Sequence, residues 1–353
     1  MQVTPKLITG MDVSDRYSTF FTLTAEGEVV EEGRVRTTRQ ALEGHFTGSR
    51  RRLVLEAGPH SPWISRLLEE LGHEVIVANA RMVALIHKNP KKRDPVDAES
   101  LARLGRVDPE LLWPIEHRSA EAQADLGVVR TRDVVVRART ALITHVRGVV
   151  KSFGGRIPRC SAEGFSAKAG DHIPGPLRAA LEPVLETIAG LSRQIRFFDK
   201  QLEALCQERY PETEVFRQIK GVGPVTALTY RLVLGDPHRF PNSRAVGAYL
   251  GLTPRHDDSG EFQPELRITK AGDELLRRSL VQAAHYILGR FGPDTDLRRW
   301  GLDYIRRGGD SKTSKKKATV AVARKLAVLL HRLWITGEVY EPLRNERLRR
   351  RVA

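Results

Sequence analysis

"LITGMD", residues 7–12, reads as a short strand that ends on an acid, and "RLVLEA", residues 52–57, is a second compact apolar strand that ends the same way. Between them, "STFFTLTAEGEVVEEGRV" alternates apolar and polar residues around Glu26-Gly27, the pattern of a hairpin. A short helix is expected from Thr38. Downstream, "SPWISRLLEELG" has Ser61 as N-cap, Pro62 at the first helical position and Gly72 as stop. "EVIVAN", residues 74–79, is a further strand, and "DPVDAESLARLG", residues 94–105, opens with Asp-Pro and ends in Gly, as a helix does. Three strands, helix, strand, helix, strand, helix predict an α/β domain with a mixed sheet.

From about residue 115 the pattern changes. "RSAEAQADLGVVRTRDVVVRARTALITHVRGVVKSFG" is a long Arg-rich helical stretch, "CSAEGFSAKAGDHIPGP" interrupts it, and "LRAALEPVLETIAGLSRQIRFFDKQLEALCQE" resumes the helical period. Two long helices joined in this way predict an αα-hairpin or coiled-coil arm. Near residue 212 a third part begins. "VFRQIKGVGPVTALTYRLVLG" reads helix, Gly-Val-Gly turn, helix; "SRAVGAYLG" and "KAGDELLRRSLVQAAHYIL" are helical; "SKTSKKKATVAVARKLAVLLHRLW" is a basic run leading into an apolar helix. The expected division is 1–110, 111–210 and 211–345.

The 353 residues carry 58 Lys and Arg against 43 Asp and Glu, a formal net charge of +15. Clustered cations attract phosphates and release their counterions, so nucleic acid is the expected partner rather than a membrane surface. No apolar run reaches bilayer-spanning length, and the start, "MQVTPKLITG", lacks a signal-peptide layout. Two cysteines, Cys160 and Cys206, with no CxxC pattern argue against zinc and suit a reducing cytoplasm.

Four acids stand out. Asp12 and Glu56 end strands, and Asp94 and Asp97 stand three apart at the start of the following helix, on one helix face. Taken singly, each reads as a turn or cap residue. Together they fit one ribonuclease-H-like arrangement. Four converging carboxylates repel one another, and a hard divalent cation with a taste for oxygen, Mg²⁺ or Mn²⁺, resolves that repulsion. Two such ions can flank a phosphodiester. The preceding "HKNPKKR", residues 87–93, is either a solvated basic loop or a nucleic-acid clamp.

"IKGVGPVTA", residues 219–227, resembles a helix-hairpin-helix, in which glycines let backbone N–H groups approach a phosphate; a ligand-free turn between helices has the same composition. "GLTPRHDDSGEF", residues 251–262, places Ser259 after Asp257 and Asp258. By itself this is an ordinary turn sequence.

The set "MDVS" (11–14), "LEAG" (55–58), "RDPVDAESLA" (93–102), "IKGVGPVTA" (219–227), "AYLGLTPRHDDSG" (248–260) and "ITKAGDELLRRSL" (268–280) resembles, in family order, the IS110-type transposases. "LEAGPHSPW" stands where Glu-Ala-Thr-Gly is more usual, and the Ser-Gly-rich continuation of some members is missing after Ser259. The resemblance implies a RuvC-like, RNase H-like N-terminal domain, a helical coiled-coil arm and a mainly α "Tnp" domain with a helix-hairpin-helix-like element. It makes Asp12, Glu56, Asp94 and Asp97 the metal-binding tetrad and Ser259 the nucleophile. It implies donor and target DNA as substrates, a structured bridge RNA as guide, and a prokaryotic, nucleoid-associated setting. A homo-oligomer, dimer or tetramer, would build composite active sites. Candidate nucleic-acid contacts are Lys91, Lys92, Arg93, Lys220, Gly221, Gly223, Arg255, Lys270, Arg277 and Arg278.

Two other functions share parts of this signature. A RuvC-like junction nuclease needs the four acids and a water nucleophile but not Ser259. A non-catalytic RNA- or DNA-binding protein needs neither the acids nor the serine.

Overall fold

The computed structural model describes residues 6–80, 94–255 and 266–345, with side chains in the helix that opens at Asp94 described from residue 96. The chain divides into two compact units, Met1–Ala120 and Glu121–Ala353.

The first unit follows the expected element order: β1 (Leu7–Asp12), β2 (Tyr17–Thr24), β3 (Val29–Arg36), α1 (Arg39–Phe46), β4 (Arg52–Glu56), α2 (Ser61–Glu70), β5 (Glu74–Ala78) and α3 (Asp94–Val107). The strands form one sheet in the order β3-β2-β1-β4-β5. β1, β2 and β3 pair antiparallel, whereas β1–β4 and β4–β5 are parallel. This mixed sheet is consistent with an RNase H-like fold. Gly27, at φ +100°, takes the left-handed conformation that closes the β2–β3 hairpin.

Side-chain alternation sorts the sheet into two apolar layers. Met11, Leu53 and Leu55 pack with Leu42, Phe46, Ile64 and Leu67 beneath α1 and α2. On the other face, Val54 and Ile76 pack with Leu101, while Phe21 and Leu23 meet Ala98 and Ala102 of α3. Small residues let α3 lie close to the sheet. A Cβ at Gly10 would stand 2.1 Å from the Ala98 carbonyl oxygen, and one at Gly105 would stand 2.4 Å from Val54 Cγ2. Inside the sheet, the buried hydroxyls of Thr9 and Thr22 satisfy each other at 2.9 Å.

Thr38 caps α1 as expected, its side chain accepting from the Ala41 N–H at 3.4 Å. Ser61 does not cap α2; it is that helix's first residue, and His60 occupies the cap position without a side-chain bond. The Ser61 hydroxyl turns back instead, accepting from the Gly58 N–H at 3.0 Å and donating to the Gly58 carbonyl at 2.9 Å.

The second unit is helical. α4 (Ala120–Ser152) and α6 (Arg178–Glu208) flank the short α5 (Phe165–Gly170). At 1.5 Å per residue, α4 and α6 are each about 45–50 Å long. Arg132 pairs with Asp199 at 2.6 Å and Arg139 with Ser192 at 3.2 Å, so rising numbers on one helix meet falling numbers on the other, and the two run antiparallel. Their far ends close around Val146, Val150, Phe165, Ile173, Leu181 and Ile188. Their near ends, through Leu126, Val129, Leu202 and Cys206, join the main core.

That core gathers α7 (Thr213–Arg217), α8 (Pro224–Leu234), α9 (Ala245–Tyr249), α10 (Glu274–Leu288), α11 (Asp296–Arg307) and α12 (Lys312–Thr336). Tyr230 is fully buried, and its hydroxyl donates to the Ala327 carbonyl at 2.7 Å. A second buried polar centre holds α4 to the end of α6. The Asp125 carboxylate, 6% exposed, accepts from Arg209 at 2.9 and 3.0 Å and from the Tyr210 hydroxyl at 2.8 Å. Among the described residues no helix is long and apolar enough to cross a membrane.

Candidate active site

The parallel register of β1 and β4 pairs Met11 with Leu55, so Asp12 and Glu56, the next residue of each, end two neighbouring strands. Asp12 shares a strand face with Gly10, and Glu56 shares one with Val54. Gly10 meets Ala98 and Ala102, and Val54 meets Gly105, so both acids lie on the α3 side of the sheet. The same contacts fix the direction of α3. Ile8 lies near Gly105 and Gly10 near Ala98, so α3 runs antiparallel to β1. Two strand residues advance about 6.6 Å and four helical residues about 6 Å. Asp12 is therefore level with the first turn of α3, which begins at Asp94 and contains Asp97.

Three of the four expected acids are thus brought to one edge of one sheet face. Asp97 is part-buried there, as are Asp12 and Glu56. The Asp94 backbone opens α3, and its side chain lies outside the described atoms. Among the described residues, no three His, Cys, Asp or Glu side chains are close enough to hold a metal ion. Asp12, Glu56 and Asp97 accordingly share a face without forming a closed cage. Their donors are all carboxylate oxygens, the type a hard divalent cation takes. Lys91, Lys92 and Arg93 lie outside the described residues.

Sequence reasoning missed the polar groups that border this edge. Asp15 follows Asp12 by three residues, and its Oδ1 lies 3.0 Å from His60 Nε2, in the loop after Glu56. His60 Nδ1 accepts from Trp63 Nε1 at 3.1 Å, which leaves Nε2–H to donate to Asp15. The loops after β1 and β4, which leave the two acids, are therefore tied together. His117 Nε2 lies 2.9 Å from the Ser61 hydroxyl. Burial, then the charges of Arg66 and Arg118, hold the His117 imidazole below its usual pKa. The only sequence signal was the polar run "GPHS" directly after "LEA".

In the second unit, Ser259, Asp257 and Asp258 lie outside the described residues, but the residues on either side of that segment are tied together. The Arg255 N–H donates to the Arg267 carbonyl at 3.0 Å, the Thr269 N–H to Thr253 at 2.9 Å and the Lys270 N–H to Gly251 at 3.1 Å. A short antiparallel ladder thus ends four residues before Ser259. Gly251 at φ +66° and Gly272 at φ +69° let its two sides touch; a Cβ at Gly251 would stand 2.3 Å from the Ala271 nitrogen. Arg277 fastens both sides, its Nη1 donating to the Leu250 carbonyl at 3.2 Å and to Ala271 at 2.7 Å.

The remaining candidates have mixed surroundings. Arg255 and Lys270 are exposed, Lys270 at φ +55°. Arg278 pairs with Asp133 of α4 at 2.8 Å, beside an Arg130–Asp273 pair at 3.0 Å. Asp273 is also the N-cap of α10, accepting from the Leu276 N–H. Lys220 is exposed ahead of α8. Gly221, at φ +105°, is required by packing, because a Cβ there would stand 2.8 Å from Tyr286 Cδ1. Gly223, the N-cap of α8, has extended backbone and open space around it.

Comparison with known proteins agrees with this architecture. Residues 9–154 match the DEDD transposase family model of the IS110 type, described as "Transposase". Residues 213–298 match the model described as "Transposase IS116/IS110/IS902 family". A Pseudomonas aeruginosa protein named "Probable family 20 transposase" is 29% identical over 82% of this chain and 86% of its own length. The y4pF/y4sB protein of Sinorhizobium fredii is 31% identical over 82% of this chain and 74% of its own. The transposase for insertion sequence element IS1111A of Coxiella burnetii is 27% identical over 70% of this chain and 68% of its own. A DEDD domain implies a divalent metal, and a transposase acts on DNA. With its sheet unit and its helical unit both matched, the chain belongs to the IS110 family of transposases.

Proposed function

We propose that this transposase cuts and rejoins DNA through a covalent phosphoserine at Ser259, with Asp12, Glu56, Asp94 and Asp97 as its Mg²⁺- or Mn²⁺-binding tetrad and an RNA from its own element as guide. The observation that carries the proposal is the meeting of Asp12, Glu56 and the first turn of α3 at one end of one sheet face. Mg²⁺ held by these carboxylates would offset the negative charge of the scissile phosphate.

The chain's own residues have three tasks. The acids hold the cation-binding edge. The ladder at 251–255 and 267–270, fastened by Arg277, holds the segment that carries Ser259. The serine Oγ forms a bond to phosphorus as the bond between that phosphorus and one of its two sugar oxygens breaks. The hydroxyl proton leaves the serine and the departing sugar oxygen takes up a proton, so the phosphodiester energy is conserved in the adduct and rejoining needs no ATP. Residues 1–110 would act as the RuvC-like domain, 111–210 as a coiled-coil arm joining subunits, and 211–345 as the Tnp domain, its Gly221–Gly223 turn serving as a helix-hairpin-helix. The acids of one subunit would work with the serine of another in a dimer or tetramer. The basic candidates, Lys91 to Arg93 and Lys220 among them, would contact DNA and RNA backbones.

The test is a suicide DNA substrate that cannot religate. The parent protein should give a denaturant-resistant adduct and Ser259→Ala should give none, while RNA and DNA binding persist. Clean cleavage by Ser259→Ala, with no adduct in the parent, would overturn the serine mechanism and favour a junction nuclease that uses water. Sequencing of co-purified RNA tests guidance: one structured species is expected, and only random cellular RNA overturns it.

A further inference from the structure

We propose that the corner between α11 and α12 is a docking surface for the backbone of duplex DNA. The corner carries Arg306, Arg307, Lys312, Lys315, Lys316 and Lys317 against only Asp303 and Asp310. All six cations are exposed. Asp303 is engaged by Arg307 at 3.1 Å and Arg306 at 3.6 Å, and Asp310 by Lys315 at 3.1 Å. That leaves Lys312 and Lys316 with no ion pair among the described residues.

The patch is presented rigidly. A Cβ at Gly308 would stand 2.6 Å from Ser314 Cβ, and the buried Ser314 hydroxyl donates to the Ile305 carbonyl at 3.1 Å. Gly309 at φ +72° and Asp310 at φ +54° turn the chain sharply between the helices. The end of α11 is thereby held against the start of α12. Between them opens a cavity of about 340 Å³ lined by Tyr304, Arg307, Ser311, Thr313 and Lys317. Cations and hydroxyls on one wall suit phosphate oxygens, and a preformed corner loses little freedom on binding.

Packing does not call for the charge. Ala318, Val322, Leu326 and Leu330 bury the inner face of α12, while the lysines project from its opening turns. Lys312 and Lys316 are one helical turn apart, an advance of about 6 Å. Duplex DNA carries one phosphate per strand for about every 3.4 Å of its axis, so two lysines one turn apart can each meet a phosphate of the same strand. Duplex DNA is the chosen occupant because the family's reaction is on DNA and its backbone supplies the complementary charge.

The test measures binding of the full-length protein to a short duplex at several salt concentrations, without divalent metal so that cleavage does not enter. Each phosphate contact contributes a slope of about −0.9 to log K against log salt. Lys312→Gln with Lys316→Gln should flatten the DNA slope by about 1–2, with circular dichroism unchanged. The slope for a structured RNA of equal length should change less. Lys312→Arg with Lys316→Arg should keep the parental slope, and so should a control, Lys151→Gln with Lys168→Gln. An unchanged DNA slope in the glutamine variant overturns the proposal, as does an RNA slope that flattens as much or more. Neither result bears on Ser259 or the acids.

Discussion

Gly10 of β1 lies against the backbone of Ala98 in α3 so closely that a single added carbon would stand 2.1 Å from the Ala98 carbonyl oxygen. The atom in the way is backbone, and the Ala102 nitrogen waits at 2.4 Å, so a side chain at residue 10 must displace the helix. Gly10→Ala is expected to destabilise the protein by about 1–3 kcal/mol, as overpacked cores are. Because α3 carries Asp94 and Asp97, the same change should weaken DNA cleavage more than DNA binding. Urea unfolding and a paired cleavage and binding assay check both parts.

Removing charge at the acid edge should act without disturbing the fold. Asp97→Asn keeps shape and is expected to abolish recombination while the thermal transition stays within a few degrees of the parent. Near-normal activity with Mg²⁺ as the only metal would remove Asp97 from the mechanism.

Arg277 should matter through the two flanks that it fastens, at Leu250 and Ala271. Arg277→Met retains most of the stem but loses both bonds, to Leu250 and Ala271. The expected cost is about 1–3 kcal/mol for carbonyls left without a partner. Adduct yield at the serine should fall by more than that stability loss explains. An adduct yield equal to the parent's would show that the serine does not need this clasp.

His117 should shape stability on the acid side. Burial and two neighbouring arginines depress its folded pKa below the ordinary value of 6.5, so the folded state favours the neutral ring. Its contribution is present above pH 6.5 and is lost as pH falls through the depressed folded value. His117→Gln should flatten that part of the pH–stability curve, measured by denaturant midpoints between pH 7 and pH 5. A curve as steep as the parent's counts against it.

Tyr210 should do the reverse in alkali. Burial and its bond to Asp125 push the hydroxyl up to about 12, so the unfolded chain ionises first, near 10. Stability from this group is present below pH 10 and is lost as pH rises towards 12. Tyr210→Phe should remove that loss. Asp125→Ala should cost about 1–3 kcal/mol at neutral pH, because the buried hydroxyl loses its acceptor. Both follow from thermal unfolding.

Much of the fold was legible because its signals are local. Short, largely apolar runs ending on an acid marked β1 and β4, alternation marked β2 and β3, Thr38 marked the start of α1, and Gly27 marked the hairpin turn. Ser61 misled because a serine before proline looks like a cap, whereas here its hydroxyl found Gly58 and His117. Gly221 read as a phosphate-binding glycine, and Tyr286, far along the chain, gives it a packing reason. Arg277 read as one more nucleic-acid contact, and its Nη1 has the further task of joining two backbone carbonyls that no local pattern pairs.

By itself the sequence determined the order of elements, the acids at the ends of β1 and β4, the basic surplus and the motif set of the family. These depend on residues a few positions apart, whose periodicity and turn chemistry are written in the chain. Only the tertiary structure decided which sheet face Asp12 and Glu56 occupy, that α3 runs antiparallel to β1 with its first turn beside them, and that Gly10 and Gly105 permit so close an approach. Gly10 and Ala98 are 88 residues apart, and no local propensity encodes their contact; it follows from the strand register and from α3 covering the sheet face opposite α1 and α2.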